Sequence, residues 1–198
     1  MFEELIAYFQ DKSVDITPEF LRIMDKHLEE KHISKNEIIL RQGESGLHTY
    51  FVAQGLLRAF TIDEQGKEHI LQFAPENWLI SDRSGILFQD LSEQNIDAVE
   101  NSKIILINEA FFEEVTALSP SFRAYNLFAL NNHIHFLQRR INLLLGATAE
   151  VRYLDFIKLY PDIMQRVPQW MIASYLGITP ESLSRVRKEL ARKNFKPG

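Results

Sequence analysis

The chain has 198 residues, enough for one large domain or two small ones, and 45% hydrophobic with 25% charged residues is the composition of a soluble globular protein. It contains no cysteine, which excludes disulfides, thiolate metal sites and cysteine-ligated iron–sulfur clusters, and we expect a reducing cytoplasm as its location. No apolar run reaches the roughly 18 residues of a membrane span, and the acidic start at Met1–Glu4 lacks the basic region of a secretory signal, so we expect no membrane partner.

The net charge of −5 is distributed unevenly along the chain. Residues 1–146 carry 13 Lys and Arg against 22 Asp and Glu, whereas residues 147–198 carry 9 against 5, so the net charges are −9 and +4. Binding to DNA phosphates requires local rather than overall positive charge. The asymmetry therefore predicts two tasks in one chain, with any DNA contact in the carboxyl-terminal part.

The first elements are predicted to be helical and the next ones to be strands. Residues 2–28 show helical periodicity, and Thr17–Glu19 is a helix start, with a capping threonine and a first-turn proline. From Ile33 onward, short apolar runs alternate with turn signals, which is typical of a β-sandwich or a barrel-like roll. The predicted strands are Glu37–Arg41, Thr49–Ala53, Leu56–Ile62, His69–Phe73, Asn95–Val99 and Lys103–Ile107.

After Asn108 the helical period returns, with a short helix over residues 109–118 and a longer one from Ser119 onward. In the longer helix, apolar residues alternate steps of three and four for three repeats, which is the seam of a coiled coil and predicts a homodimer. The seam residues are Leu127, Leu130, Ile134, Leu137, Ile141 and Leu144. Alternatively, the stripe packs on the chain's own strands. Phe128 and Phe136 lie off the seam and offer a second apolar face for that contact.

Gly146–Ala149 interrupts the helical pattern and is the expected hinge, followed by a helix over residues 149–159 that ends before Pro161. We therefore divide the chain into three predicted parts. Residues 1–118 form a β-roll sensor domain with flanking helices, residues 119–146 a dimerisation helix, and residues 147–198 a DNA-binding domain.

Residues 169–188 have the spacing of a helix-turn-helix. Gly177 lies at the sharp turn, Thr179 is a good N-cap, and Pro180 suits the first turn of the second helix. The apolar positions required between the two helices are Ile172, Ala173, Leu176, Ile178, Leu183 and Val186. Such a second helix fits the major groove of double-stranded DNA. The alternative is an ordinary amphipathic helix pair with a solvated basic face.

The order of roll, long helix and helix-turn-helix resembles a Crp/Fnr-type transcription regulator from about Ile33 to Arg192. The most specific stretches are residues 37–44, 50–55 and 173–185. The resemblance implies an α+β fold: a β-roll of the cyclic-nucleotide-binding type (a double-stranded β-helix), a long dimerisation helix and a carboxyl-terminal winged helix-turn-helix. It also implies a homodimer on a palindromic operator and RNA polymerase as a partner.

In the resembled family, a glutamate and an arginine four residues later on the recognition helix read the half-site. They fall here on Glu181 and Arg185, one helical turn apart, and Ser184 matches the serine of the Fnr-like variant. Arg185 can bind guanine O6 and N7, and Glu181 can accept from a cytosine amino group. The residues assigned to phosphate or backbone contacts are Gln169, Thr179, Ser182, Arg187, Lys188 and Arg192.

The predicted ligand site departs from the resembled family. Cyclic-nucleotide binders there carry a Gly-Glu pair and an Arg-Ser or Arg-Thr pair, whereas this chain has Ile80–Ser81 and, near Ser92, Glu93. Because an acid repels a phosphate, we predict that cAMP and cGMP do not bind in the usual way. Arg83 is a candidate displaced anion partner. The effector is an unidentified small molecule, if one exists, and we expect no cofactor.

Two other functions remain open from the sequence. A cupin-like metal enzyme on the roll requires a His-x-His cluster with an acid, but His48 is followed by Thr49 and Tyr50. His48 and His69 could approach each other across the roll, although such histidines are more often structural, so we expect no metal site and no enzymatic activity. The other alternative is a cyclic-nucleotide-responsive module that acts on a protein partner.

Overall fold

Antiparallel strands build the amino-terminal part of the molecule, and helices flank and follow them. The computed structural model describes residues 2–88 and 90–194. The helices are α1 (Glu3–Asp11), α2 (Pro18–His27), α3 (Arg83–Phe88), α4 (Glu109–Leu118), α5 (Pro120–Gly146), α6 (Ala149–Leu159), α7 (Ile163–Arg166), α8 (Gln169–Leu176) and α9 (Pro180–Asn194). The strands are β1 (Leu28–Ile33), β2 (Ile38–Leu40), β3 (His48–Gln54), β4 (Leu57–Ile62), β5 (Glu68–Ala74), β6 (Leu79–Ser81), β7 (Asn95–Ala98) and β8 (Ser102–Asn108).

The strands form two four-stranded antiparallel sheets, in the orders β1-β8-β3-β6 and β2-β7-β4-β5. The side chains between the sheets are fully buried, among them Val52, Leu57, Ile96 and Ile104. Because alternate residues of a strand point to opposite faces, each strand contributes one set of side chains to this core. All six predicted strands are present, and the predicted roll is confirmed.

Four elements escaped the sequence prediction: β1, β6, α3 and α7. The sequence Leu28–Ile33 carries four polar residues between its two buried ends, so it shows no alternation. Its conformation is fixed instead by pairing with β8 over its whole length, from Leu28 opposite Ile107 to Ile33 opposite Ser102. The other three elements are three to six residues long, too short for periodicity to identify.

An aromatic cluster holds α1, α2, α4 and the start of α5 against the first sheet. Its fully buried rings include Phe9, Phe20, Phe111 and Phe122, with centroids 5.5 to 6.4 Å apart. The expected helix start is confirmed, because the Thr17 hydroxyl accepts a hydrogen bond from the Phe20 amide at 3.1 Å.

The seam of α5 lies on the surface of the single chain. Exposure of its six residues ranges from 37% at Leu130 to 63% at Leu127. The alternative in which this stripe packs on the chain's own strands is therefore wrong. Of the two aromatic residues off the seam, Phe136 contacts Trp78 of the roll with centroids 6.5 Å apart, but Phe128 is 69% exposed. Of the two residues of the expected second apolar face, only Phe136 therefore packs on the roll.

The helices α6 to α9 pack against the outer face of the second sheet and share one core with it. Phe73 from β5 meets Phe156, Tyr160 and Tyr175, with ring centroids 5.7 to 6.3 Å from its own. The buried hydroxyl of Tyr160 donates to the Phe73 carbonyl at 3.2 Å. The predicted hinge has the expected local form, since α5 ends at Gly146 and Thr148 caps α6. In this structure, however, the helices beyond it are packed on the roll.

The predicted class included a wing, and residues 147–194 contain no β-strand that could form one. Between α6 and α8 the chain instead makes the single turn of α7. Ile163 and Val167, at this turn, are buried in the shared core. Pro161 and Pro168 bracket the segment and cannot donate backbone hydrogen bonds, which disfavours a hairpin there.

Phe156→Ala should lower the free energy of unfolding by about 3–5 kcal/mol, because this 1% exposed ring is central to the shared core. Chemical denaturation followed by circular dichroism and by tryptophan fluorescence measures the effect. On the same helix, Leu154→Ala is the matched control, since Leu154 is 43% exposed and should cost less than about 1 kcal/mol. Equal losses in the two variants would contradict the shared core.

Candidate nucleic-acid interface

The turn between α8 and α9 has the geometry that the sequence predicted. Gly177 adopts φ 64° and ψ 37°, the left-handed conformation that glycine accepts without strain. The Gly177 and Ile178 amides donate to the Ser174 and Ala173 carbonyls, both at 3.0 Å, which closes the end of α8. The Thr179 hydroxyl then accepts from the Ser182 amide at 3.2 Å and starts α9.

The two faces of α9 differ sharply in burial. Leu183 and Val186 are 0% and 7% exposed and pack on α6 and α8. On the opposite side, Glu181, Arg185 and Lys188 are exposed and follow one another at steps of four and three residues. This spacing places them on one helix face, and that face is directed away from the core.

The charges on this outward face are available for a partner. Within residues 2–88 and 90–194, neither Arg185 nor Lys188 forms a salt bridge, whereas Lys193 is paired with Glu150 at 2.7 Å. The backbone amide of Glu181 and, secondarily, the Thr179 hydroxyl hold the pKa of the Glu181 carboxyl below its usual range. Glu181 is therefore an ionised acceptor at neutral pH.

The six residues assigned to phosphate contacts are all at least partly exposed. Gln169, Thr179, Lys188 and Arg192 are exposed, and Ser182 and Arg187 are half-buried. Gln169 is the first residue of α8, where Pro168 provides no side-chain cap. Uncapped amide groups at a helix start are suited to a phosphate oxygen.

The contacts that hold α8 on the roll were not predictable from the sequence pattern. The Ser174 hydroxyl accepts from the Ile70 amide at 3.0 Å and donates to the Glu68 carbonyl at 3.1 Å, which joins α8 to β5. Arg140 of α5 donates to the carbonyls of Ile70 and Tyr175, both at 3.1 Å. A serine and an arginine inside helices give no sequence signal for such long-range bonds.

A second set of contacts joins the roll to the helices through ion pairs. Arg58 of β4, whose side chain is 7% exposed, binds both oxygens of Asp97 at 2.8 Å and lies 5.6 Å from the Trp170 ring centroid. Arg166 of α7 is paired with Glu76 at 2.9 Å and with Glu100. The contact between Arg58 and the Trp170 ring holds the start of α8, and the ion pairs of Arg166 hold the α7 turn, beside the second sheet.

Beside the predicted ligand-site residues Ile80 and Ser81 the chain carries a buried acid, whereas Glu93 is exposed. Asp82 is 7% exposed and accepts from the Ser84 amide at 3.1 Å, and its other oxygen is buried without a partner among the described residues. At Gly85 of α3, a Cβ would lie 2.8 Å from the Gly46 carbonyl oxygen, so α3 is closely packed on the roll. Arg83, at the start of α3, shows no salt bridge within the described chain.

The histidines and acids of the described residues form no group of three or more that could hold a metal ion. His69 binds Asp63 at 2.7 Å on the second sheet, whereas His48 belongs to β3 of the first sheet, beside the Tyr50 ring. Among the described helices, none is both long and apolar enough to cross a membrane.

Residues 30–130 match the family model of the cyclic nucleotide-binding domain. The chain belongs to this family. It is 27% identical to the fumarate and nitrate reduction regulatory protein of Vibrio cholerae and 28% identical to electron transport regulator A of Shewanella oneidensis. These alignments cover 82% and 79% of the chain and 69% and 66% of the relatives, so the chain spans about two thirds of their length.

Solved structures agree on the fold. FixK2 from Bradyrhizobium japonicum superposes with a TM-score of 0.70 at 20% identity, covering 86% of this chain and 88% of that one. A CooA mutant from Carboxydothermus hydrogenoformans gives a TM-score of 0.67 at 18% identity, covering 92% and 88%. The family match and the named relatives place the protein among Crp/Fnr-type transcription regulators, and these solved structures share its fold.

Gly177→Ala should destabilise this regulator by about 1–2 kcal/mol, because a side chain disfavours the left-handed backbone. The added Cβ would also lie 3.2 Å from Leu144 and 3.3 Å from Arg152. The control is Gly146→Ala at the end of α5, where φ is not positive and no atom lies within 4 Å, so the variant should be neutral or up to about 1 kcal/mol more stable. Thermal denaturation of both variants measures the difference, and a neutral Gly177→Ala would be inconsistent with the turn.

Proposed function

We propose that the regulator binds a palindromic DNA operator as a homodimer, with the two α9 helices in successive major grooves roughly 34 Å apart. The observation that carries this proposal is the outward position of Glu181 and Arg185, opposite the buried Leu183 and Val186. Selection of bound sequences from a random duplex pool tests DNA binding, palindromy and half-site spacing together.

Three residues are proposed to read bases. The guanidinium of Arg185 offers two parallel donors to guanine O6 and N7, and the ionised Glu181 accepts from a cytosine amino group. Ser184 is half-buried on the same side of α9 and directly precedes Arg185. It is therefore proposed to contact the edge of a neighbouring base. Pro180 stands where the catabolite activator branch of the family carries another base-reading arginine, so that contact is expected to be missing.

Contacts to the phosphates are proposed to position the helix without specifying sequence. Lys188 and Arg192 extend the outward face by one and two turns, and Gln169 brings the first amides of α8 to the backbone. In the isolated chain the Thr179 hydroxyl is already engaged as the cap of α9. Any phosphate contact by Thr179 therefore uses the remaining bonding capacity of that hydroxyl.

Dimerisation is proposed to occur along the α5 seam. Six large apolar side chains on one helix face, each at least 37% exposed, form an apolar stripe that a second copy would bury. Such pairing is symmetric, so it presents two identical α9 helices to the two halves of a palindrome. RNA polymerase and an unidentified small-molecule effector remain the expected further partners, and the lack of cysteine favours the cytoplasm.

We further propose that the effector is not a cyclic nucleotide bound in the usual way. The buried carboxylate of Asp82 at the start of α3 would repel a phosphate, and the close contact between Gly85 and Gly46 restricts space beneath α3. No observation favours a metal-dependent enzyme on the roll, and none favours a cyclic-nucleotide-responsive module that acts on a protein partner.

Arg185→Ala should weaken operator binding by about 1–3 kcal/mol and relax the preference at a single base pair, because it removes a bidentate base contact. Lys188→Ala on the same face is the matched comparison. It should weaken all sequences alike and reduce the salt slope by about one. Fluorescence anisotropy on the selected operator and on single-base variants measures both, and equal losses on every sequence for Arg185→Ala would refute base reading.

Leu137→Glu should raise the dimer dissociation constant by about a hundredfold or more, because the symmetric seam would then bury two like charges. Ile62→Glu, at the exposed end of β4, serves as the control and should leave the dimer intact, since Ile62 is 44% exposed and lies outside the seam. Sedimentation equilibrium over a concentration series measures the change. Unchanged assembly in Leu137→Glu would show that the seam is not the interface.

A calorimetric titration with cAMP and cGMP should give no saturable binding at micromolar concentrations, because the acid at Asp82 opposes a phosphate. In Asp82→Asn the repulsion of the phosphate is removed. Any nucleotide binding of this variant should therefore be at least as tight as that of the unaltered chain. Micromolar affinity of the unaltered chain for either nucleotide would contradict the proposal.

A further inference from the structure

A cavity lies at the junction of α5, α6 and α8, outside the roll. We propose that it binds a small anion with an apolar body, such as an aromatic carboxylate, and that this ligand regulates DNA binding. The binding site is inferred from the geometry of the cavity alone. The effect of the ligand on DNA binding rests on the proposed function.

The lining of the cavity carries an excess of positive charge. Its volume is about 260 Å³, the size of a small aromatic acid rather than of a nucleotide. Four cationic side chains reach it, Arg139, Arg140, Arg152 and Lys158, and among the described residues its lining contains one acid, Asp155.

Within the part of the chain that the structure describes, two of these guanidinium groups form no ion pair with a carboxylate. Asp155 is ion-paired with Arg139. Arg140 instead donates to two backbone carbonyls and lies 3.7 Å from the Tyr175 ring centroid. Arg152 donates through Nη1 to the Leu176 carbonyl at 2.7 Å, and its Nε is buried without an acceptor among the described residues.

A buried donor without an acceptor is uncommon in folded proteins and costs free energy. Carbonyl oxygens carry only partial charge, so they leave most of the charge of Arg140 and Arg152 uncompensated. A ligand carboxylate would supply both the missing acceptor and the missing negative charge. Its two oxygens match the planar fork of a guanidinium group.

The remaining lining is apolar and aromatic. Phe136 of α5, Phe156 of α6 and Tyr175 of α8 supply ring surfaces, and Leu143 and Leu159 complete the walls. A cavity with apolar walls and a few convergent charges selects an amphipathic ligand, because the walls favour its body and the guanidinium groups orient its charged end. A strongly hydrated anion such as inorganic phosphate would gain nothing from the rings.

The position of the cavity connects the dimer seam with the recognition helix. Leu144 belongs to both the seam and the lining, and Leu176 of the lining immediately precedes the Gly177 turn. Arg139 and Asp155 join α5 to α6 on either side of the predicted hinge. A ligand carboxylate bound between Arg140 of α5 and Arg152 of α6 would add a further restraint between these helices.

Calorimetry on the full chain without DNA tests the site, with three probes: 1-naphthoate, 1-naphthalenemethanol and inorganic phosphate. We expect 1-naphthoate to bind once per chain and the other two to bind at least about tenfold more weakly, because one lacks the charge and the other the apolar body. Naphthoate binding no tighter than that of the neutral alcohol, or no tighter than that of phosphate, would overturn the proposal.

Two variants locate the site, and a third is the control. Arg152→Met should weaken naphthoate binding about tenfold, and Lys158→Gln, an exposed residue whose loss leaves the packing intact, about threefold. Lys35→Gln removes an exposed charge on the roll and should change nothing. Unaltered affinity in Lys158→Gln together with Arg152→Met would exclude this cavity.

Saturating 1-naphthoate should also change operator affinity at least threefold, and operator DNA should change naphthoate affinity by the same factor. Operator binding that does not respond to bound naphthoate would overturn the regulatory part alone. Failure of the chain to bind any DNA while naphthoate binds would instead contradict the proposed function and leave the site standing.

Discussion

The central contact between the roll and the carboxyl-terminal helices is aromatic, between Phe73 on the outer face of the second sheet and the rings of α6 and α8. Tyr160 anchors this contact, because its ring is fully buried and its hydroxyl satisfies the Phe73 carbonyl. A core that contains both roll and helix residues couples the two parts energetically. Displacement of α6 to α9 from the roll would expose this aromatic surface, at a cost that grows with the apolar area involved.

The roll is therefore packed firmly against helices α6 to α9 and shares a core with them. The helix break at Gly146–Ala149, where we expect a hinge, separates α5 from α6, and the bonds from Ser174 and Arg140 to β5 restrain movement there. Movement at the hinge requires these bonds and the Arg166 ion pairs to break or to be replaced. Any displacement of α6 to α9 relative to the roll would therefore have to break these contacts.

Three different parts of helix α5 contribute to three different surfaces of the molecule. Its first turns are buried with Phe122 in the aromatic cluster, its middle offers the seam, and its last turns line the cationic cavity with Arg139 and Arg140. Because the three contacts lie on one continuous helix, a shift of α5 would displace all three. The uncompensated charge beside the seam is the feature that distinguishes this junction from ordinary helix packing.

Local sequence signals determined much of the fold. The caps at Thr17, Thr148 and Thr179 and the turn at Gly177 follow from backbone hydrogen bonding and from the conformational freedom of glycine, so they could be predicted without a structure. The outward face of α9 also followed from spacing, because a 3.6-residue period places Glu181 and Arg185 opposite Leu183. The division of base and phosphate contacts among these residues came from the family resemblance and stays a prediction.

Only the tertiary structure decided what these elements contact. It showed that β1 is a strand despite its polar sequence, that Phe128 does not cover the roll, and that a single helical turn, α7, joins α6 to α8. It also brought Arg140 and Arg152, which are distant in sequence from Ile70 and Leu176, to their carbonyl partners. Periodicity describes which face of an element is apolar, whereas pairing, burial and charge compensation depend on residues far apart in the chain, and these contacts exist only once the whole chain has folded.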